Sequence, residues 1–567
     1  MEPPAKPVMV GPQADGAGVL VPTRQLLHPA GRSVSFHGRP VDLVLSRNGR
    51  TAFVKSDLSL FVIDTVTNAV RQEVKYPPKI GASLHGIVLS ADESHLYVTL
   101  AQSLLADFSV GGDGTVAPGR TISLHVKKEG ESYPCGIALL GHSNTAVVCL
   151  SCNNSIAIVD LSAGKIVANI PVGLAPYDVT VARDGASAYV SNWGGRRAGA
   201  GDKTGISAGT PVVVDDRGIA CSGSVSVVDL RSRKQVNEIP TGLHPSAVLL
   251  DREGKTLYVA NANSDTISVI DTANARVTRT ISVRPDVDLP FGSAPNALAL
   301  TEDQNALLIA NGGNNAVAVV PLKDAGDRPA AFIPTGWYPG ALAMHGDQLF
   351  IANIKGIGTR DPAVAGKWST RFGAWGSVSS LAIPNDPATL ERYSKQVLAD
   401  AMVPQTLAAM ERMRAGDRPA AAVPARAGEP SVFHHVVYII KENRTYDQVL
   451  GDIGRGNSDP ALCIYGRDVT PNQHALAEQF VLLDNYYCNG ILSTDGHHWA
   501  TEGITTDYLE KSFGAWVRSY PSTGDDPLAY SASGFIWDNA LLHGKSFRNY
   551  GEFGTAALPA KANFEQI

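Results

Sequence analysis

Short apolar runs broken by turn residues recur along the first two-thirds of the chain. The clearest copy is Leu257-Tyr258-Val259-Ala260-Asn261, a gap holding Ser264-Asp265, then Thr266-Ile267-Ser268-Val269-Ile270-Asp271. A preceding phrase of a turn, usually with Pro, and another apolar run starts near residues 40, 85, 134, 176, 245, 295 and 339. Seven copies at about 40–45 residues, each with room for four short strands, predict a propeller of seven blades. One longer step carries an insertion between Gly194 and Gly223, expected as loops on one face. Ser224-Val225-Ser226-Val227-Val228-Asp229 alternates as a half-buried strand does. Asn261, Asn311 and Asn353 end their runs where a left-handed or Asx turn is useful. Val19-Leu20-Val21-Pro22 is a candidate strand to close the ring beside Ser377–Leu381, which removes two sheet edges.

On these repeats, residues 38–385 resemble the YVTN family of β-propellers, with 1–37 as an N-terminal segment. The resemblance implies a fold, and propellers host many unrelated activities. Polar residues here, such as Asn192, Trp193 and His244, read first as blade structure.

The period changes after Asp386. Leu390, Tyr393, Val397 and Leu398, then Leu407, Met410 and Met413, fall at helical spacing, with Pro404 between two helices. Residues 415–430, rich in Ala, Pro, Gly and Arg, read as an exposed linker, so 386–430 connects two domains. The run Val436–Ile440 then predicts a parallel strand buried on both faces of an α/β sheet. Ligands bind outside the carboxyl ends of such strands, which is where Glu442 and Asn443 stand. Their carboxylate and amide oxygens suit a divalent metal. Thr470-Pro471 opens a helix, Phe480–Tyr487 is a second strand, and Leu492-Ser493-Thr494-Asp495-Gly496-His497-His498-Trp499 follows as a strand-to-helix turn. Hydroxyls, a carboxylate and imidazoles at such a turn meet the needs of a nucleophile site, and amides at a helix start hold phosphate. Ser493 and Thr494 as plain helix caps, and His498 with Trp499 as a packed pair, are the structural alternatives.

These elements, Glu442–Asp447, Thr470-Pro471-Asn472, Asp484–Tyr487 and Ser493–Trp499, resemble the phosphoesterase branch of the alkaline phosphatase superfamily, with its phospholipase C-like and acid phosphatase-like enzymes. The resemblance covers 431–567. It implies hydrolysis of phosphoric esters through a metal-activated Ser or Thr: Ser493 or Thr494 as nucleophile, His497 and His498 binding phosphate or moving protons. Glu442 and Asn443 would serve as ligands to a divalent metal, Zn, Mn or Ca. The family draws further Asp and His ligands from a later part of its domain. The expected fold is therefore multidomain: a seven-bladed all-β propeller followed by an incomplete α/β, alkaline phosphatase-like domain. The propeller would recognise substrate or anchor the enzyme through a protein or cell-surface ligand. The alternative is a non-catalytic propeller binding protein beside an inactive phosphoesterase domain.

Composition narrows the partners. The formal net charge is −6 and no Lys/Arg run appears, so nucleic acid has no electrostatic footprint. No apolar stretch is long enough to cross a membrane as a helix. The opening residues lack a signal-peptide pattern, whereas the resemblance implies a periplasmic or extracellular place. Cys149-x-x-Cys152 falls in a strand copy and reads as buried thiols; Cys463 and Cys488 are a candidate disulfide in an oxidising compartment. No Cys-x-x-Cys-His occurs, which disfavours a haem propeller.

Overall fold

The computed structural model describes residues 9–14, 16–127, 129–141, 143–323, 326–359, 373–413, 419–424, 429–512, 517–520 and 526–553. Much of the expected 415–430 linker and the last residues of the C-terminal region lie outside them.

Seven four-stranded antiparallel sheets open with Asp42–Leu45, Ala82–Leu89, Pro134–Leu139, Leu174–Val181, Pro245–Leu250, Pro295–Leu300 and Trp337–His345. Each of these strands packs against its counterpart in the next sheet, and the seventh against the first. The sheets thus close into a propeller-like ring, and each of the seven sequence copies opens one sheet. Second and third strands such as Ala306–Asn311 and Ala316–Pro321 are buried almost throughout, because both faces of a blade meet neighbouring blades. Outer strands such as Lys165–Pro171 alternate with solvent. Side chains also cross between blades: Asp42 accepts from the Gly86 amide at 2.8 Å and Asp178 from the Val248 amide at 3.0 Å.

Three expectations change. The closing strand is Arg32–His37, paired antiparallel with Trp375–Ala382, while Val19–Leu20 sits in a small three-stranded sheet. Arg32-Ser33-Val34-Ser35-Phe36-His37 has the polar–apolar alternation an outer strand needs; Val19–Val21 does not. Ser224–Asp229 is buried on both faces except at its last residue, because its serines are bonding partners. The Asn192 amide donates to Ser224 Oγ at 3.2 Å and Ser226 Oγ at 2.9 Å, Asn261 to Thr266 and Ser268, and Asn353 to Ser377 and Ser379. Asn261 and Asn353 therefore tie neighbouring strands rather than shape a turn, while Asn311 donates to the Val283 carbonyl at 2.8 Å and to Asn314 Oδ1 at 3.1 Å. Gly173, Gly242 and Gly336 lie against Asn192, Asn261 and Asn353, where a Cβ would meet the side chain at 2.5–2.8 Å.

Helix α1 (Pro387–Asp400) and α2 (Val403–Met413) break at Ala401-Met402, and Pro404 falls in the first turn of α2, where its missing N–H costs nothing. The Asp386 carboxylate caps α1 by accepting from the Ala388 and Thr389 amides. Val397 packs α1 into the fifth and sixth blades, and Ser394 Oγ accepts from the Phe332 amide of the edge strand Ala331–Pro334 at 2.9 Å. The helix covers an edge that is otherwise open.

Residues 431–553 form helices α3 (Tyr446–Leu450), α4 (Pro471–Gln479), α5 (Ser493–Glu502), α6 (Asp507–Ser512) and α7 (Ile536–Leu542), with no strand among the described residues. Among the described residues the α/β sheet expected here is not formed. Val436 is 85 % and Val481 83 % exposed, so both anticipated strands run unpaired over the surface. A parallel strand holds its shape through hydrogen-bonded neighbours on both sides, and no described residue supplies them. The segment is nonetheless not a separate body. Tyr508, Leu509, Leu528, Tyr530, Phe535, Trp537 and Phe553 share one apolar core with Tyr177 and Trp193 of the ring and Val212 of the insertion. All six cysteines are free thiols, so Cys463 and Cys488 are not bridged. Among the described residues no helix is long and apolar enough to cross a membrane.

Candidate functional site

Ser493 is the first residue of α5, and His497 follows one turn later on the same face. The cap is supplied by Asp495, whose Oδ2 accepts from the Ile491 and Leu492 amides at 2.8 and 3.2 Å. Ser493 is thereby released from the capping role and donates its hydroxyl to Glu442 Oε2 at 2.7 Å. The same carboxylate oxygen accepts from His497 Nε2 at 2.6 Å, and His497 Nδ1 donates to Glu552 Oε1 at 2.7 Å. An Asn549 turn presents Glu552: Asn549 Oδ1 accepts from the Gly551 and Glu552 amides, both at 2.9 Å.

Electrostatics follow from these bonds. The Glu552 carboxylate, with Glu442 adding to it against partial burial, pushes His497 up to about 9. The imidazole is therefore a cation at neutral pH. Donation from Ser493, then from His497, holds Glu442 below its ordinary carboxylate range. The group comprises a hydroxyl bonded to a carboxylate, with an imidazolium beside both, at the start of a ten-residue helix. Amides in a helix's first turn lack carbonyl partners and favour an anion.

The structure brings together Glu442, Ser493 and His497 of the sequence-derived residues and separates the others. Asn443 is exposed. Thr494 is buried. His498 is fully buried, paired through Nδ1 with Glu502 Oε2 at 2.8 Å and set edge-on to Phe553 at 4.9 Å. It belongs to the core because residues adjacent on a helix point about 100° apart, so His498 faces inward when His497 faces Glu442. Trp499 lines a cavity of about 730 Å³ with Tyr486, Tyr487, Leu20, Arg24 and Met402. Sequence reasoning missed Glu552: nothing local marks a glutamate far along the chain as the partner of His497.

The donor set falls short of a metal centre. Glu442 and Asn443 offer oxygens, but among the described residues no three His, Cys, Asp or Glu side chains converge to hold an ion. Both ring nitrogens of His497 are occupied by carboxylates.

A second polar cluster joins the segment to the ring. Helix α6 enters the mouth of the propeller with Asp507, Glu510 and Lys511 all buried. Asp507 accepts from Tyr338 OH at 2.8 Å and Ser246 Oγ at 3.1 Å, and lies 3.4 Å from Lys511. Burial alone would raise Asp507, yet Lys511 and His244 hold it below its usual range. Lys511 donates to Tyr177 OH at 2.8 Å. Glu510 pairs with Lys355 at 2.5 Å, and its backbone carbonyl accepts from Arg39 at 3.2 Å. Trp193 stacks between Tyr177 and His244 at 4.4 and 4.2 Å. The insertion forms a hairpin, Thr204–Ser207 with Thr210–Val213, and it too grips the segment: Arg518 Nε donates to Ser207 Oγ at 2.8 Å and Ser519 Oγ accepts from the Ala208 amide at 2.8 Å.

No protein-family model and no curated protein matches the sequence. Among solved structures, hydrazine synthase of Kuenenia stuttgartiensis is similar at 17 % identity, with a TM-score of 0.46 over 63 % of this chain and 100 % of that one. A likeness of this degree carries no argument about activity.

Proposed function

We propose that the protein hydrolyses phosphoric esters, with Ser493 as nucleophile, and that residues 431–553 are a phosphoesterase-like segment carried by a YVTN-type propeller. One observation carries the reading: the Ser493 hydroxyl donates to a carboxylate that an imidazolium also holds. In the first step Ser493 Oγ attacks phosphorus and Glu442 takes its proton. Amides at the start of α5 and the His497 cation bear the charge on the phosphoryl oxygens. The bond from phosphorus to the alcohol breaks as the new one forms, and the leaving oxygen takes its proton from solvent. Water then attacks phosphorus of the phosphoseryl ester, the P–Oγ bond breaks, Glu442 returns its proton to Ser493 Oγ, and phosphate leaves with the protons of the water. Within the same proposal Glu442 and Asn443 would be the two ligands this chain offers a divalent cation, which would screen charge on the phosphoryl group.

The binding-protein alternative is left less room, since one mouth of the ring is filled by the chain's own α6. A protein or cell-surface ligand would use another face of the ring. The family resemblance also supports a periplasmic or extracellular location as part of this proposal. Release of 4-nitrophenol from 4-nitrophenyl phosphate, with and without added Zn, Mn or Ca, tests the reading. Ser493→Ala is expected to lower kcat by roughly a thousandfold or more. Hydrolysis that survives this change removes the proposal.

A further inference from the structure

Lys355 stands at the end of the second strand of the seventh blade, far along the chain from the candidate nucleophile. Its ammonium donates to the backbone carbonyl and the side-chain oxygen of Asn489, both at 2.9 Å, and pairs with Glu510 Oε2. Lys355, Asn489 and Glu510 are each more than nine-tenths buried, and the Trp337 ring lies 4.6 Å from the ammonium. In a dry site such charge-assisted bonds are strong and directional.

What Lys355 holds matters more than how tightly. Asn489 opens the turn that ends at Ser493. Its neighbour Gly490 lies so close to the Asp495 side chain that a Cβ there would sit 2.0 Å away. Asp495 closes the same turn through the Ile491 and Leu492 amides. The turn therefore has little internal freedom, and a displacement of Asn489 passes on to Ser493. Through Glu510 the same ammonium holds α6, the helix that follows α5. One propeller side chain ties both ends of the stretch that carries Ser493 and His497.

We infer that Lys355 is a positioning residue: it fixes the 489–495 turn and so sets where the Ser493 hydroxyl stands against Glu442. The link to chemistry rests on Ser493 being the nucleophile; the link to the turn does not. The propeller is then part of the machinery of the site, and no longer only its carrier.

Two readouts on the full chain test this. In Lys355→Met, amide hydrogen exchange across 489–497 is expected to quicken by about tenfold while exchange in blades one to three stays unchanged. With 4-nitrophenyl phosphate, kcat is expected to fall by about tenfold to a hundredfold with KM within about twofold, the pattern of a misplaced group, and Lys355→Arg to recover part of it. Unchanged exchange at 489–497 overturns the inference, whatever the activity. A fall in kcat matched by a global rise in exchange also overturns it, because the lysine would then serve stability alone. Faster local exchange in a protein without Ser493-dependent hydrolysis supports the tie and overturns only the hydrolase reading. Should Lys355→Met fail to fold, Asn489→Ala removes the side-chain acceptor and leaves the Glu510 pair. The same local quickening is expected there, and its absence overturns the inference.

Discussion

At the scale of single residues, the candidate site depends on which protons its groups hold. His497 is raised to about 9, above the ordinary imidazole value near 6.5. A group raised on folding stabilises fully below its unfolded value and loses that contribution as pH climbs through its folded value. The Glu442–His497–Glu552 tie should therefore persist through neutral pH and loosen as pH passes 9. At the acid end it loosens as Glu442 is protonated, below the usual carboxylate range. A nitrogen-15 titration of His497 should give a midpoint near 9, and one close to 6.5 would show that the two carboxylates do not hold it. For the reaction, Glu442→Gln keeps the size of the side chain but removes the proton acceptor, so kcat should drop by about a hundredfold or more. Recovery at high pH, where hydroxide replaces the base, is the accompanying expectation.

Elements are held by partners that lie outside them. Helix α1 has a good cap at Asp386, yet its place is set by Val397 inside the core of the fifth and sixth blades. Val397→Ala should cost about 2 kcal/mol, read from the midpoint of a urea melt, and should free the edge strand Ala331–Pro334 to exchange. Asn261 does comparable work between strands. Replacing it with Ala leaves Thr266 and Ser268 without their buried donor, at about 1–3 kcal/mol. The run Val436–Ile440 shows the converse. Its composition is that of a buried strand, but no described strand pairs with it, and it lies exposed. Propensity states what an element can become; neighbours decide whether it does.

Across the whole molecule, the ring and the C-terminal segment share one core and one buried charge network, so they should unfold together. Asp507→Ala strands Lys511 in that interior and should cost about 3–5 kcal/mol. The expected signature is a single transition in the parent protein that splits in the variant, the segment melting first. Closure of the ring rests on Arg32–His37. Removing residues 1–37 should expose the strand Trp375–Ala382, lower the melting temperature and promote self-association in size-exclusion runs.

The seven blades could be read from the chain because each repeats a local pattern at a fixed spacing, and stacking is the one way such units bury their faces. For Ser493 the start of α5 could be read in the same local way, but its pairing with Glu442 could not, since the strand expected to place Glu442 is not formed among the described residues. The turn of α5 separates His497 from His498, but the side that faces Glu442 depended on how the helix was laid down. Tertiary structure alone decided that Glu552 meets His497, that Arg32–His37 closes the ring, and that Lys355 of a blade reaches the turn before Ser493. Each of these contacts joins residues far apart in the chain, and burial selects such partners by shape and charge after the local elements exist. A sequence pattern carries the period of its own element. It does not carry the address of the side chain that will face it.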